Sequence, residues 1–140
     1  MRQKFLIENP CDFQKLIRVL KPQLKAGSLL LVFGELGAGK TTFIKTLTKW
    51  LLGNDDNVTS PSFALAQVYE GKNLSILHVD GFRLKNRDSE FEAYLKEEIE
   101  AKEKIIAVEW PEKLSINWPK DALKIKIKRL KNGKRVVSIN

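Results

Sequence analysis

The 140-residue sequence predicts one α/β domain, spanning residues 1–140, whose central sheet is mainly parallel with antiparallel edge strands. Three observations carry that expectation. Five consecutive apolar residues, Leu29-Leu30-Leu31-Val32-Phe33, run into a glycine-rich turn that leads to an apolar helical pattern. A second unbroken run, Ile105-Ile106-Ala107-Val108, has the same character. Runs of this kind mark strands covered on both faces, as in a parallel sheet. Near the C-terminus, Leu123, Ile125 and Ile127 alternate with lysines instead, which is the pattern of a half-exposed strand.

The remaining elements follow in order. Phe5-Leu6-Ile7 forms a short first strand, and Asp12 caps a helix whose apolar face is Phe13, Leu16, Ile17 and Leu20, closing before Pro22. After the glycine-rich turn, Phe43, Ile44, Leu47 and Leu51 repeat at helical spacing until Gly53 stops the helix. Residues 62–69 and 74–79 read as a hairpin around Glu70-Gly71-Lys72-Asn73. Asp88 or Ser89 caps an acidic helix over residues 88–104, with Phe91, Leu95 and Ile99 along one side. Residues 136–139 return against the alternating strand across Asn132-Gly133.

The turn itself carries chemistry. Gly34-Glu35-Leu36-Gly37-Ala38-Gly39-Lys40-Thr41 fits G-x-x-x-x-G-K-[ST] at every position, between a buried strand and an amphipathic helix. Its glycines permit backbone angles that turn successive N–H groups inward onto phosphate oxygens, and the helix adds its positive end. Lys40 is placed to reach the β and γ phosphates and Thr41 to ligate magnesium, with Thr42 assisting at the helix start. The expected fold is therefore a P-loop NTPase-like three-layer sandwich, and the expected ligand is ATP with magnesium. Magnesium needs a second anchor, and two acids end apolar strands: Asp80 after Leu74-Ser75-Ile76-Leu77-His78-Val79, and Glu109 after Ile105-Ile106-Ala107-Val108. One would hold the magnesium shell while the other orients or deprotonates water; spacing does not assign the two roles. Thr59-Ser60-Pro61-Ser62 has the composition of an ordinary turn, or of a switch sensing the γ-phosphate.

Composition narrows the class. With 43% hydrophobic and 30% charged residues the chain has a globular balance. Its single cysteine, Cys11, excludes an internal disulfide and fits a reducing cytoplasm. No apolar stretch approaches membrane-spanning length, and the N-terminal apolar run is too short for a signal-peptide core. The net charge of +8 is uneven: residues 120–140 hold eight bases against one acid, Asp121. Lys124, Lys126 and Lys128 share one face of their strand, either as edge-protecting lysines or as salt-sensitive contacts to RNA phosphate. His78 reads as a packed, hydrogen-bonded histidine and Trp50 and Trp118 as structural, whereas Trp110 lies over the site or at a partner surface.

Taken in order, these motifs resemble the TsaE family, formerly YjeE, of bacterial tRNA threonylcarbamoyladenosine biosynthesis ATPases. The residues that carry the resemblance are 34–43, Ser60-Pro61-Ser62-Phe63, His78-Val79-Asp80-Gly81-Phe82-Arg83-Leu84, Glu109-Trp110-Pro111-Glu112 and Gly133-Lys134-Arg135. The resemblance implies that Glu35, Leu36, Gly37, Ala38, Gly39, Lys40, Thr41 and Lys134 contact ATP. It puts Thr41 and Glu109 on magnesium, with Asp80 as the Walker B acid, and makes Ser60 and Ser62 part of a nucleotide-sensing switch. It further implies TsaB and TsaD as partners and slow ATP hydrolysis, stimulated in their complex, in support of N6-threonylcarbamoyl transfer to adenosine 37 of tRNA. Transfer RNA would be met indirectly or through the basic C-terminal segment. Gly81-Phe82 departs from the family's Leu-Tyr and suggests a looser backbone there, while Lys134 stands where the family has arginine, with Arg135 next. A small-molecule kinase shares the strand, P-loop and helix, but the residues left after Thr41 hold little room for both a lid and an acceptor pocket. A GTPase lacks its D-x-x-G and N-K-x-D sequences here, and intact Lys40, Thr41, Asp80 and Glu109 argue against an RNA module with a vestigial site.

Overall fold

A computed structural model describes residues 2–53, 65–83 and 88–140. The strands are β1 (Gln3–Ile7), β2 (Leu29–Phe33), β3 (Ala66–Glu70), β4 (Ser75–Asp80), β5 (Ile105–Glu109), β6 (Leu123–Arg129) and β7 (Arg135–Ile139). The helices are α1 (Phe13–Leu20), α2 (Lys40–Leu52) and α3 (Ser89–Ala101). All seven strands join one sheet in the order β1-β7-β6-β2-β5-β4-β3. The inner four, β6, β2, β5 and β4, run parallel, and β1, β7 and β3 are added antiparallel. The expected parallel centre with antiparallel edges is thus present.

Strand alternation divides the core in two. Leu30, Val32, Ile76, Ala107, Ile125 and Val137 meet α1 and α2 through Phe13, Leu16, Phe43 and Leu47 on one face. On the other face Leu29, Leu31, Leu77, Val79, Ile106 and Val108 meet α3 through Leu95, with Leu114 and Ala122. Helix, sheet and helix make the three layers. Phe43, fully buried on the second turn of α2, holds that helix against α1 with its ring 6.0 Å from that of Phe13. Truncation Phe43→Ala is expected to cost about 3–5 kcal/mol, read as a lower denaturant midpoint at unchanged slope, because the site cannot collapse around the missing ring.

The helix ends have local causes. Gly53 stops α2 by giving its N–H to the Lys49 carbonyl at 2.8 Å. Asp88 is the cap of α3, its Oδ1 accepting the Phe91 N–H at 3.0 Å. Asp12 behaves differently from a forward cap. Its carboxylate accepts the backbone N–H groups of Glu8 at 2.9 Å and Asn9 at 3.3 Å, so it ties the end of β1 to the start of α1. Those backbone donors, Glu8 first, lower its pKa below the ordinary value.

One expectation changes. The lysine strand β6 is not an edge: it lies between β7 and β2, so protection of an open edge is not what its lysines do. The antiparallel return of β7 across Asn132-Gly133 was legible in sequence, but the addition of β1 beyond it was not. The serine-proline segment with Ser60 and Ser62, and the first residues of the expected strand over 62–69, lie outside the described residues.

Candidate functional site

The C-terminal ends of β2, β4 and β5 converge, which is where open parallel sheets bind ligands. Asp80 and Glu109 are register partners on β4 and β5, and Val32 pairs with Glu109 on the other side. Because side chains alternate, Ile76, His78 and Asp80 share the α2 face with Ile105, Ala107 and Glu109. Both acids therefore lie beside the first turn of α2, and both are buried, at 5% and 3% exposure.

The glycine-rich loop closes under them. Gly39 caps α2 with φ of 110°, a left-handed conformation that a side chain disfavours. Lys40 follows as the first helical residue, and its ammonium is folded into the loop, donating to the carbonyls of Gly34 at 2.6 Å and Glu35 at 2.8 Å. The same ammonium lies 4.3 Å from the centre of the Trp110 ring. Burial lowers the Lys40 pKa, and the charges of Glu109, Glu112 and Asp80 oppose that shift. The Thr41 hydroxyl donates to the Glu109 carboxylate, 3.1 Å from Oε1 and 3.3 Å from Oε2.

Glu109 is also held from behind. His78 Nε2 lies 2.5 Å from Glu109 Oε2, with the imidazole fully buried and its Nδ1 without a hydrogen-bond partner among the described residues. The packed, hydrogen-bonded histidine is therefore present, and its partner is a site acid. Asp80 turns the chain after β4, its Oδ1 accepting the Phe82 N–H at 3.0 Å. Gly81 is needed there for a close approach rather than for looseness, since a Cβ would meet the Trp110 carbonyl oxygen at 2.6 Å. Trp110 itself has φ of 54°, a conformation costing a non-glycine residue about 1–2 kcal/mol. That bend carries its ring over Lys40 and against Phe82, with ring centres 5.1 Å apart.

Lys40, Thr41, Asp80, Phe82, Glu109 and Trp110 line a cavity of about 370 Å³ with Leu36, Gly37, Gly39, Thr42 and Arg135. Of the sequence-derived set, Glu35 contributes its carbonyl and exposes its side chain, and Ala38 is buried beneath the loop. Lys134 does not line the cavity; its ammonium lies 3.9 Å from Glu8. The next residue does instead. Arg135 Nη2 is 3.4 Å from the Gly37 carbonyl, and its buried Nε has no hydrogen-bond partner among the described residues. Strand alternation held that signal, because Arg135 shares the face of Val137 and Ile139, which are core residues. Trp50 and Trp118 pack against the two halves of the core, as structural residues do. Cys11 is exposed and free.

A parallel sheet whose strand end feeds a G-x-x-x-x-G-K-T loop into a helix, with acids on the neighbouring strand ends, defines a P-loop NTPase-like fold. The comparisons narrow that class. The family described as "Threonylcarbamoyl adenosine biosynthesis protein TsaE" matches residues 7–137, and the chain belongs to this TsaE family. Among its relatives, the protein named tRNA threonylcarbamoyladenosine biosynthesis protein TsaE of Aquifex aeolicus is 35% identical over 139 residues, covering 98% of this chain and 95% of the relative. The protein of the same name from Rickettsia conorii is 32% identical over 128 residues, 91% of this chain and 72% of its own length. The crystal structure of Bacillus subtilis YdiB superposes with a TM-score of 0.73 at 26% identity, covering 99% of this chain and 84% of that one.

Proposed function

We propose that this protein binds and hydrolyses Mg-ATP as an accessory component of bacterial tRNA N6-threonylcarbamoyladenosine modification, working with TsaB and TsaD. The observation that carries the reading is the phosphate loop itself: the buried Lys40 ammonium inside it, beside a threonine hydroxyl already bonded to a carboxylate. Backbone N–H groups of residues 35–41 and Lys40 take the phosphate oxygens, and Arg135 supplies a second positive charge from β7. Leu36 and Thr42 complete the loop's contact with the nucleotide.

The donor set suits magnesium, a hard cation that takes oxygen ligands and keeps several waters rather than a protein cage. The Thr41 hydroxyl with the Glu109 carboxylate would hold the ion, which would supply charge neutralisation at the phosphates. In this reading Glu109, fixed by Thr41 and His78, belongs to the metal shell. Asp80, on the adjacent strand, orients the attacking water and takes its proton. Trp110 and Phe82 shield the mouth from bulk water. The pathway puts the protein in the cytoplasm; none of its described helices is long and apolar enough to cross a membrane.

The test is phosphate release from Mg-ATP, alone and with purified TsaB and TsaD. Slow release alone and faster release with the pair is the expected result. Tight Mg-ATP binding without stimulation would count against the accessory role and favour a small-molecule kinase, to be followed by acceptor screening.

A further inference from the structure

The α3 side of the sheet is covered only in part. Helix α3 packs over β2, β4 and β5, whereas over β6, β7 and β1 no helix among the described residues covers the same face. Lys124, Lys126 and Lys128 of β6 and Arg2 and Lys4 at the start of the chain are all exposed there, and Leu6 is 52% exposed. A groove of about 500 Å³ runs across this face. Among the described residues its lining includes four bases, Arg2, Lys4, Lys126 and Lys128, and no acid. None of the four is in an ion pair among the described residues.

Register explains how two remote basic segments meet. Lys4 and Lys126 both pair with Ser138, from β1 and β6 on either side of β7, and Phe33 of β2 pairs with Lys126. Lys4, Ser138, Lys126 and Phe33 therefore stand in one row across four strands, with the two lysines about 10 Å apart by strand spacing. Lys128 follows two residues along, opposite Val136.

We propose that this open basic face docks the phosphate backbone of RNA, and of the tRNA substrate in particular. The proposal rests on the tRNA-modification role above and assigns that role a surface distinct from the nucleotide site. Uncompensated cations on rigid strands suit a polyanion, whose binding is driven by counterion release. The half-buried Phe33 ring in the same groove offers a stacking surface for an unpaired base. A protein partner is disfavoured by the centre of the face, a serine between two lysines, because protein interfaces deplete their cores of charge and of lysine.

The experiment measures binding of labelled, unmodified tRNA between about 0.05 and 0.2 M salt. It compares the full chain with the Lys4→Glu/Lys126→Glu variant. The charge-matched control is Lys45→Glu/Lys49→Glu, whose lysines are exposed on α2 across the sheet. The first pair is expected to weaken binding on the order of 25- to 60-fold at 0.1 M salt, the counterion-release contribution of two phosphate contacts, and to flatten the salt dependence. The α2 pair is expected to have a much smaller effect, and both variants keep basal Mg-ATP hydrolysis. Equal weakening by the two pairs would overturn the proposal, leaving only general attraction by a basic protein. Unchanged tRNA binding, with stimulation by TsaB and TsaD lost in the first pair, would overturn it in favour of an acidic protein surface. If no variant hydrolyses Mg-ATP but tRNA binding is still lost only in the first pair, the ATPase reading falls and this one stands.

Discussion

Glu109→Ala is expected to lose Mg-ATP hydrolysis by at least about two orders of magnitude and to lower thermal stability in the same protein. One carboxylate serves both ends of this result. Toward the cavity it accepts the Thr41 hydroxyl, and toward the core it is the partner of His78. The imidazole is fully buried and its Nδ1 has no hydrogen-bond partner among the described residues, so alanine would also remove the partner of Nε2 at a cost of about 1–3 kcal/mol. Glu109→Gln separates the two effects. The amide keeps the volume and an acceptor for Thr41, so melting stays near wild type while loss of the negative charge still abolishes hydrolysis. Phosphate release and thermal melting on the two variants check this. Wild-type turnover in Glu109→Gln would remove Glu109 from the chemistry.

The second large effect is on binding. Lys40→Ala is expected to weaken Mg-ATP binding by about 100-fold or more, since a charge-assisted hydrogen bond contributes about 1.5–3 kcal/mol and Lys40 is placed to make more than one. Titration calorimetry reads this directly. The fold should survive, because the partners lost are the Gly34 and Glu35 carbonyls, at a loop that water reaches, and the face of the Trp110 ring. Lys40→Arg should not rescue affinity: the planar guanidinium cannot replace a compact ammonium held at 2.6 and 2.8 Å by two carbonyls. Affinity for Mg-ATP unchanged in Lys40→Ala would falsify the phosphate-loop reading.

Local rules act over a few residues, and where they act alone the sequence was sufficient. Alternation defined β6, an unbroken apolar run defined β2 and β5, and helical spacing ending in Gly53 defined α2. The position of Lys40 and Thr41 at the first turn of a helix followed from the loop's own spacing, and two acids at apolar strand ends were visible as Asp80 and Glu109. The one-residue choice between Lys134 and Arg135 was also within reach, because strand parity puts Arg135 on the core side with Val137 and Ile139.

Contacts between distant segments depend on strand order and register, which no local pattern encodes. The bond from His78 to Glu109 exists because β4 and β5 are parallel neighbours with Asp80 opposite Glu109. The ring of Trp110 over Lys40 depends on a left-handed bend that an unaided tryptophan avoids and that surrounding packing imposes. The place of β6 inside the sheet turned its lysines from edge guards into part of a broad face, completed by Arg2 and Lys4 from the far end of the chain. The sequence by itself determined the loop, Gly34 to Thr41, to which the proposed phosphate chemistry is assigned, because that motif is built from consecutive residues. Only the tertiary structure decided which side chains support those residues and where the positive charge gathers, because both arise from burial and pairing across the whole sheet.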